Sequence, residues 1–338
     1  MSRVLGLLST ALIAGALLTG CGGETADSGS DPIAQVPAEE GLREQVAAAR
    51  EVQASDFPSA SGQTLAGLAR SMGARDGEAA LASSVFTVGD NRLAFGTIDD
   101  QGQLVFGKTA VYVARRPGAP ASGPYPAPAD LLVTDPAYRS QQAATEADPF
   151  AAVYAAEVPF ERSGEHVILT VTQDGDRTVA ATGQVDVTTD ARDPVPAVGE
   201  RAPRVETDTL TSASGDVEAI DTRLPPSDMH AESFADVVGE KPVALLFATP
   251  QLCQSRVCGP VVDVALQMRK TYGDRVAFIH QEVYRDNDPA KGVREPLARF
   301  NLPTEPWLFV VDGDGRITAR LEGSFGLQAF EDALQTAL

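Results

Sequence analysis

The segment from Pro242 to Leu338 constrains this chain more than any other. An apolar strand, Val243-Ala-Leu-Leu-Phe247, runs into a loop carrying Cys253 and Cys258, and a helical stretch follows. A helix N-terminus leaves N–H groups unpaired and carries a positive partial charge, which favours thiolate over thiol. Two thiols at such a handover are placed for disulfide chemistry. The four residues between them set a limit. Residues five apart on one helix lie roughly 7.5 Å apart along its axis. That exceeds the approximately 4.4–6.8 Å Cα separation that a disulfide tolerates. Cys253 must therefore lie off the helix, and Gly259-Pro260 predicts that the helix starts just after Cys258. A bridge across so short a loop contributes about 2 kcal/mol, which suits a structural or a redox-active pair equally.

Downstream the pattern alternates: strand Val276–His280, then Glu305-Pro306, strand Trp307–Val311, a turn at Asp312-Gly-Asp-Gly315, another strand and a final helix. Val198-Gly-Glu-Arg-Ala-Pro203 and Phe234–Val243 lead into it. These features together resemble the thioredoxin superfamily, closest to the membrane-anchored thioredoxin-like proteins of bacterial envelopes. The resemblance implies a thioredoxin-like fold over residues 193–338 and a cis bond before Pro306. It also implies that Pro306 lines a substrate groove, that Cys253 attacks and that Cys258 resolves. Two departures stand out. The family's C-x-x-C is here Cys253-Gln-Ser-Arg-Val-Cys258, and aligning Tyr272-Gly273 with the end of the family's first long helix puts Cys258 at the second cysteine. Which cysteine attacks is thereby left open. The family's buried acid on the central strand has no counterpart in Val243–Thr249, and Pro250 stands where a peroxiredoxin carries its threonine. Arg256, inside the loop, is a candidate for lowering a thiol pKa.

His280 ends an apolar strand. Two cysteines and a histidine form the ligand set of Sco-type copper chaperones, which share the thioredoxin fold, although neither spacing matches theirs. A histidine at the end of a buried strand is first a structural residue, so His280 is a weak metal candidate. Met229-His230 reads as an isolated pair, and Asp312-Gly-Asp-Gly315 as a hairpin turn lacking the later glutamate of a calcium loop.

The other end of the chain points to a compartment. Arg3 precedes an uncharged apolar run of 15 residues, Val4–Leu18. A bilayer-spanning helix needs about 20 residues, so the run reads as a signal-peptide core. Leu18-Thr-Gly-Cys21 resembles the bacterial lipobox, which implies cleavage and lipidation at Cys21. The expected division is a signal peptide at 1–20 and a lipidated N-terminus and tether at 21–55, with Gly41–Arg50 reading as a helical stalk. Two or more acyl chains make a stable anchor. The implied location is the cell membrane, lipid-anchored on the extracytoplasmic face, and the implied partners are exported proteins bearing thiols or disulfides.

Residues 56–192 have another texture. Candidate strands are Ser84–Val88, Arg92–Ile98, Gln103–Phe106, Thr109–Ala114, Ala152–Val158, His166–Thr172, Thr178–Ala181 and Gln184–Val187, separated by turn signals. Val167, Leu169 and Val171 share a face, as a half-buried strand requires. This spacing predicts an immunoglobulin-like β-sandwich. Arg115–Phe150, rich in proline, reads as a long aperiodic loop, either a solvated insertion or a partner-binding lid. Pro194-Val-Pro196 marks the boundary of two units expected to fold separately.

The chain has 338 residues, 43% of them hydrophobic, enough for a sizeable core in each of two domains. A formal net charge of −20 argues against nucleic acid or anionic lipid surface as a ligand. Of the three cysteines, Cys21 goes to lipid and the other two to each other. No hydrolase triad or phosphate-cradling glycine loop appears, and no cofactor is expected. The expectation is an α/β plus all-β chain that exchanges thiols and disulfides on exported proteins through Cys253 and Cys258, the direction of electron flow being open. The alternatives are a non-enzymatic binding lipoprotein with a structural disulfide and a copper-handling chaperone.

Overall fold

The computed structural model describes residues 31–36, 41–143, 151–254 and 256–338. Cys21, the apolar run before it and the first part of the tether, up to Ser30, lie outside them, as do residues 37–40. Among the described residues no helix is long and apolar enough to cross a membrane. Asp31–Leu338 form one compact unit of mixed α/β structure with three sheets.

Helices α1 (Leu42–Arg50) and α2 (Leu65–Ser71) precede ten strands. These are β1 (Arg75–Asp76), β2 (Glu78–Leu81), β3 (Phe86–Thr87), β4 (Gly89–Ile98), β5 (Lys108–Ala114), β6 (Ser122–Pro126), β7 (Ala129–Leu131), β8 (Ala152–Phe160), β9 (Gly164–Asp174) and β10 (Arg177–Thr188). One sheet runs β2-β4-β8-β7, all antiparallel. Facing it, β10-β9-β5-β6 are antiparallel, and the short β1 and β3 pair parallel to β10. Thr97 of β4 hydrogen-bonds Thr172 of β9 between the sheets (2.9 Å), and Thr172 also meets Thr109 of β5 (2.9 Å).

Several expectations change here. The two strands expected at Thr178–Ala181 and Gln184–Val187 are one, β10, running through Gly183. Strand β9 is covered on both faces, not one: Leu169 and Val171 pack under Leu65 and Leu68 of α2, while Ile168 faces the sandwich interior. The helix expected as a stalk is α1, but it packs against the body of the unit, with Val46 and Ala49 fully buried. Part of the expected proline-rich loop is β6 and β7. Pro124 and Pro126 stand on the sheet edge, where a missing N–H removes no ladder bond.

From Phe234 the chain changes to α3 (Phe234–Val237), β11 (Val243–Phe247), α4 (Cys258–Tyr272), β12 (Ala277–Gln281), α5 (Glu295–Arg299), β13 (Trp307–Val311), β14 (Ile317–Glu322) and α6 (Leu327–Gln335). The sheet order is β12-β11-β13-β14, with β11 parallel to β12 and the other pairs antiparallel. Strands β11, β12 and β13 are buried along their whole length, which is why their sequences read as continuous rather than alternating apolar runs. Leu245, Phe247, Phe309 and Val311 pack on one face with Phe234 and Phe300. On the other face Leu246, Leu308 and Val310 pack with Val261 and Ala265 of α4 and Phe330 of α6. That second cluster continues without a break into the sandwich, through Leu131 and Phe325 to Phe95 and Tyr154. The prolines at 194–196 therefore mark a change of architecture within one unit.

Polar contacts reinforce the seam. Asp130 on β7 accepts from the Gly326, Gln328 and Ala329 N–H groups (2.7, 2.9 and 3.3 Å), capping α6 from the sandwich. Gly323 sits with φ +74 against the Ala82 carbonyl, where an added Cβ would collide. Gly323→Ala should therefore cost at least about 3 kcal/mol, whereas Gly313, with open space around its Cα, should tolerate alanine. Urea melts of both variants check this, and equal midpoints would refute it.

Candidate dithiol site

The loop between β11 and α4 is shaped by its own backbone. The Leu252 and Cys253 N–H groups both donate to the Thr249 carbonyl (3.2 and 3.1 Å), and the Arg256 N–H donates to the Cys253 carbonyl (3.2 Å). Arg256 is exposed and takes a left-handed conformation, φ +62, that turns the chain into the helix. The helix begins at Cys258 itself, one residue earlier than Gly259-Pro260 suggested. Cys253 thus lies off the helix and Cys258 in its first turn, as the spacing requires. Neither is in a disulfide; they are 8% and 0% exposed, and Cys253 lies close enough to influence Cys258.

A roof explains the burial of Cys258. The loop after β7 folds over the start of α4, and Gln142 lies so close to Gly259 that a Cβ there would sit 2.5 Å from its own Cβ. Ser140 donates through its N–H and hydroxyl to Asp263 of α4 (both 3.0 Å). Arg223 Nε donates to the other oxygen of Asp263 (2.9 Å) and its Nη2 to the Tyr138 carbonyl (2.6 Å). The proline-rich segment beyond β7 is thus neither a free insertion nor a lid up to Ala143; it is packed structure.

Burial pushes the Cys258 thiol well above its ordinary range, and the neighbouring Cys253 adds to the shift; the Thr249 N–H opposes it. The favourable helix end is outweighed by desolvation. Glu305 shares these surroundings. It is partly buried, accepts from the Tyr284 hydroxyl (3.3 Å), and its carboxyl is raised first by burial and then by Cys253. Tyr284 is pushed up to about 12 by burial, with Glu305, Cys258 and Cys253 contributing. The Glu305–Pro306 bond is cis, as the resemblance implied. An acidic side chain that Val243–Thr249 lacks is thus supplied to these surroundings from elsewhere in the chain. The only sequence sign was its place before Pro306. A cavity of about 330 Å³ opens beside Val257, Thr304 and Glu305, its far wall formed by Ser83, Ser84 and Phe86.

His280 keeps other company. Its Nε2 lies 3.0 Å from the Ala248 carbonyl, its Nδ1 lies 3.4 Å from Asp221 Oδ2, and the His230 ring lies tilted beside it, 5.2 Å between centroids. The 3.4 Å contact is an ion-pair distance rather than a hydrogen bond. Among the described residues the one cluster suited to a metal is Asp221, His230 and His280, and it contains no cysteine. His230, which reads as isolated in sequence, thus belongs to a cluster spread over sixty residues, from Asp221 to His280. The Asp312 turn is a hairpin, its carboxylate accepting from the Asp314 and Arg316 N–H groups (both 2.9 Å).

No family model matches the chain, and no curated protein does. Solved structures give distant likenesses. A putative thiol:disulfide interchange protein DsbE from Chlorobium tepidum is 16% identical over 42% of this chain and 97% of its own, with a TM-score of 0.31. A thioredoxin family thiol:disulfide interchange protein from Chlorobium tepidum TLS is 17% identical over 42% of this chain and 99% of its own, with a TM-score of 0.29. The thioredoxin-like superfamily protein SPOA0173 is 15% identical over 42% and 96%, with a TM-score of 0.29. Scores this low carry no functional weight.

The charge on Glu305 opposes a thiolate at Cys253. Glu305→Gln should therefore speed alkylation of Cys253 at neutral pH by up to about tenfold, the equivalent of one pKa unit. It should also flatten the pH dependence of stability. Because the folded pKa of Glu305 is raised, the folded state holds the proton more tightly, and stability falls as pH rises from the ordinary glutamate value through the folded one. Unchanged alkylation rates and an unchanged pH–stability slope in Glu305→Gln would remove this coupling.

Proposed function

We propose that this chain is a thioredoxin-like thiol–disulfide exchange protein of the cell envelope, preceded by an immunoglobulin-like sandwich and tethered to the membrane through a lipidated Cys21. The observation that carries the reading is the pair of neighbouring, unbridged cysteines where β11 hands over to α4. Support comes from the order central strand, dithiol, helix, parallel strand, proline, antiparallel hairpin and final helix. The sandwich reading is supported by strand order as well. Taken in sequence, β2-β4-β8-β7 and β10-β9-β5-β6 correspond to the A-B-E-D and G-F-C-C′ sheets of a variable-type immunoglobulin domain. The tether rests on Arg3, the uncharged run and Leu18-Thr-Gly-Cys21.

In this reading Cys253, the less buried thiol, loses its proton and attacks a client disulfide. One client sulfur leaves as thiolate, and the other is held as a mixed disulfide on Cys253. Cys258 then gives up its proton and attacks Cys253 Sγ, releasing the second client thiol. The client is reduced by two electrons and the protein is left with a Cys253–Cys258 disulfide; the reverse sequence oxidises a dithiol client. Glu305, coupled electrostatically to both thiols, is the candidate acceptor of the Cys258 proton. The cavity beside Val257 and Glu305 offers a client access.

The binding-only alternative has one observation in its favour, the burial of both sulfurs. Trapping separates the two. Cys258→Ser should accumulate mixed disulfides with exported proteins through Cys253, and the wild-type pair should titrate well above about −300 mV, below which structural bridges sit. A pair that stays oxidised in the folded protein, with no client trapped by either single variant, would leave binding as the function. Mass spectrometry of the N-terminal peptide should find acylated Cys21; cleavage elsewhere without lipid would end the tether reading.

A further inference from the structure

We propose that Asp221, His230 and His280 form a binding site for a divalent transition-metal cation, independent of the two cysteines. Asp221 and His230 come from the irregular loop ahead of α3, and His280 from the edge strand β12. The loop is held to that edge by the His280 N–H, which donates to the Met229 carbonyl (3.1 Å). All three side chains are buried.

The spacing matches coordination. His230 Nε2 lies 3.0 Å and His280 Nδ1 3.4 Å from the same oxygen, Asp221 Oδ2, and one ligand atom from each residue falls within 4.8 Å of the others. Tetrahedral zinc with bonds of about 2.0–2.2 Å places its ligand atoms roughly 3.3 Å apart. The outer contacts are also those of a ligand set. The Arg223 and Ser227 N–H groups fix the two Asp221 oxygens (2.8 and 2.7 Å). With His280 Nε2 donating to the Ala248 carbonyl, Nδ1 is left to face the cluster, the arrangement by which outer hydrogen bonds aim metal-bound imidazoles. Nδ1 of His280, the nitrogen that faces the cluster, is buried without a hydrogen-bond partner.

Charge favours a cation. Glu282, two residues beyond His280, is buried and accepts from the Thr222 N–H and hydroxyl (2.9 and 2.8 Å). Two carboxylates, Asp221 and Glu282, are thus buried together, while the basic side chain nearest in sequence, Arg223, is engaged by Asp263. Two imidazoles with one carboxylate suit Zn²⁺ and its neighbours and leave a fourth position for water or Ser227, whose hydroxyl lies 3.3 Å from His230 Nε2. This ligand set differs from the two thiols and histidine of a copper chaperone. The site is tied to the dithiol loop through two contacts, His280 to the Ala248 carbonyl and Thr222 Oγ1 to the Gln251 N–H (3.2 Å).

The test uses the full-length protein stripped with chelator, loaded with Zn²⁺ or Co²⁺, desalted and assayed for bound metal. Wild type and the Cys253→Ser/Cys258→Ser double variant should each retain one equivalent, and His230→Gln and Asp221→Asn should retain close to none. The Co²⁺ spectrum should show ligand-field bands without thiolate-to-cobalt charge transfer. Should a histidine or aspartate variant fail to fold, the cobalt spectrum of wild type and the loading of the double cysteine variant decide alone. No metal retained by wild type, full loading in folded His230→Gln, or loss in the double cysteine variant together with a thiolate charge-transfer band would each overturn the proposal. None of these readouts involves client trapping, so the site and the exchange activity stand or fall separately.

Discussion

The ion pair between Arg223 and Asp263 holds the dithiol region in its present form. Its side chains are 4% and 1% exposed, so neither charge is relieved by solvent. Burial raises the Asp263 carboxyl, and Arg223 and Ser140 pull it back. Removing one partner of a buried pair costs about 3–5 kcal/mol, because the other charge is left stranded. The loss here would be more than energetic. Asp263 is one turn into the helix that begins with Cys258, and its two oxygens hold Ser140 on one side and Arg223 on the other. Arg223 in turn holds the carbonyls of Tyr138 and Pro225. One pair therefore fixes the roof over Cys258 and anchors the loop that carries Asp221 and His230.

This arrangement sets the character of the thiols. A cysteine at an open helix N-terminus is pulled toward thiolate, but Cys258 has been taken out of water, and burial is the larger effect. The pair is thereby made unequal. Cys253 keeps a little solvent contact, whereas burial favours the protonated form of Cys258. Inequality of this kind is what an attack-and-resolve sequence needs.

Much of the C-terminal sheet could be read from sequence because its strands are buried on both faces and so appear as uninterrupted apolar runs, Val243–Phe247 and Trp307–Val311. The placement of Cys253 off the helix followed from helix geometry alone. What escaped notice was long-range or unpatterned. Strands β6 and β7 were hidden by prolines that an edge accepts. Glu305 joins the surroundings of the thiols from just before β13, 47 residues after Cys258. His230 looked solitary because Asp221 and His280 approach it only once the loop lies along β12. The fusion of the two architectures left no periodic trace, since it depends on single residues such as Gly259, Asp130 and Gly323.

The cap that Asp130 provides for α6 ties the end of the chain back to a distant part of it. Strand β7 precedes Gly326 by nearly two hundred residues. The last helix therefore has its first N–H groups satisfied only where the β7 strand lies against it. A C-terminal fragment translated alone would lack that strand and begin its closing helix with unpaired N–H groups.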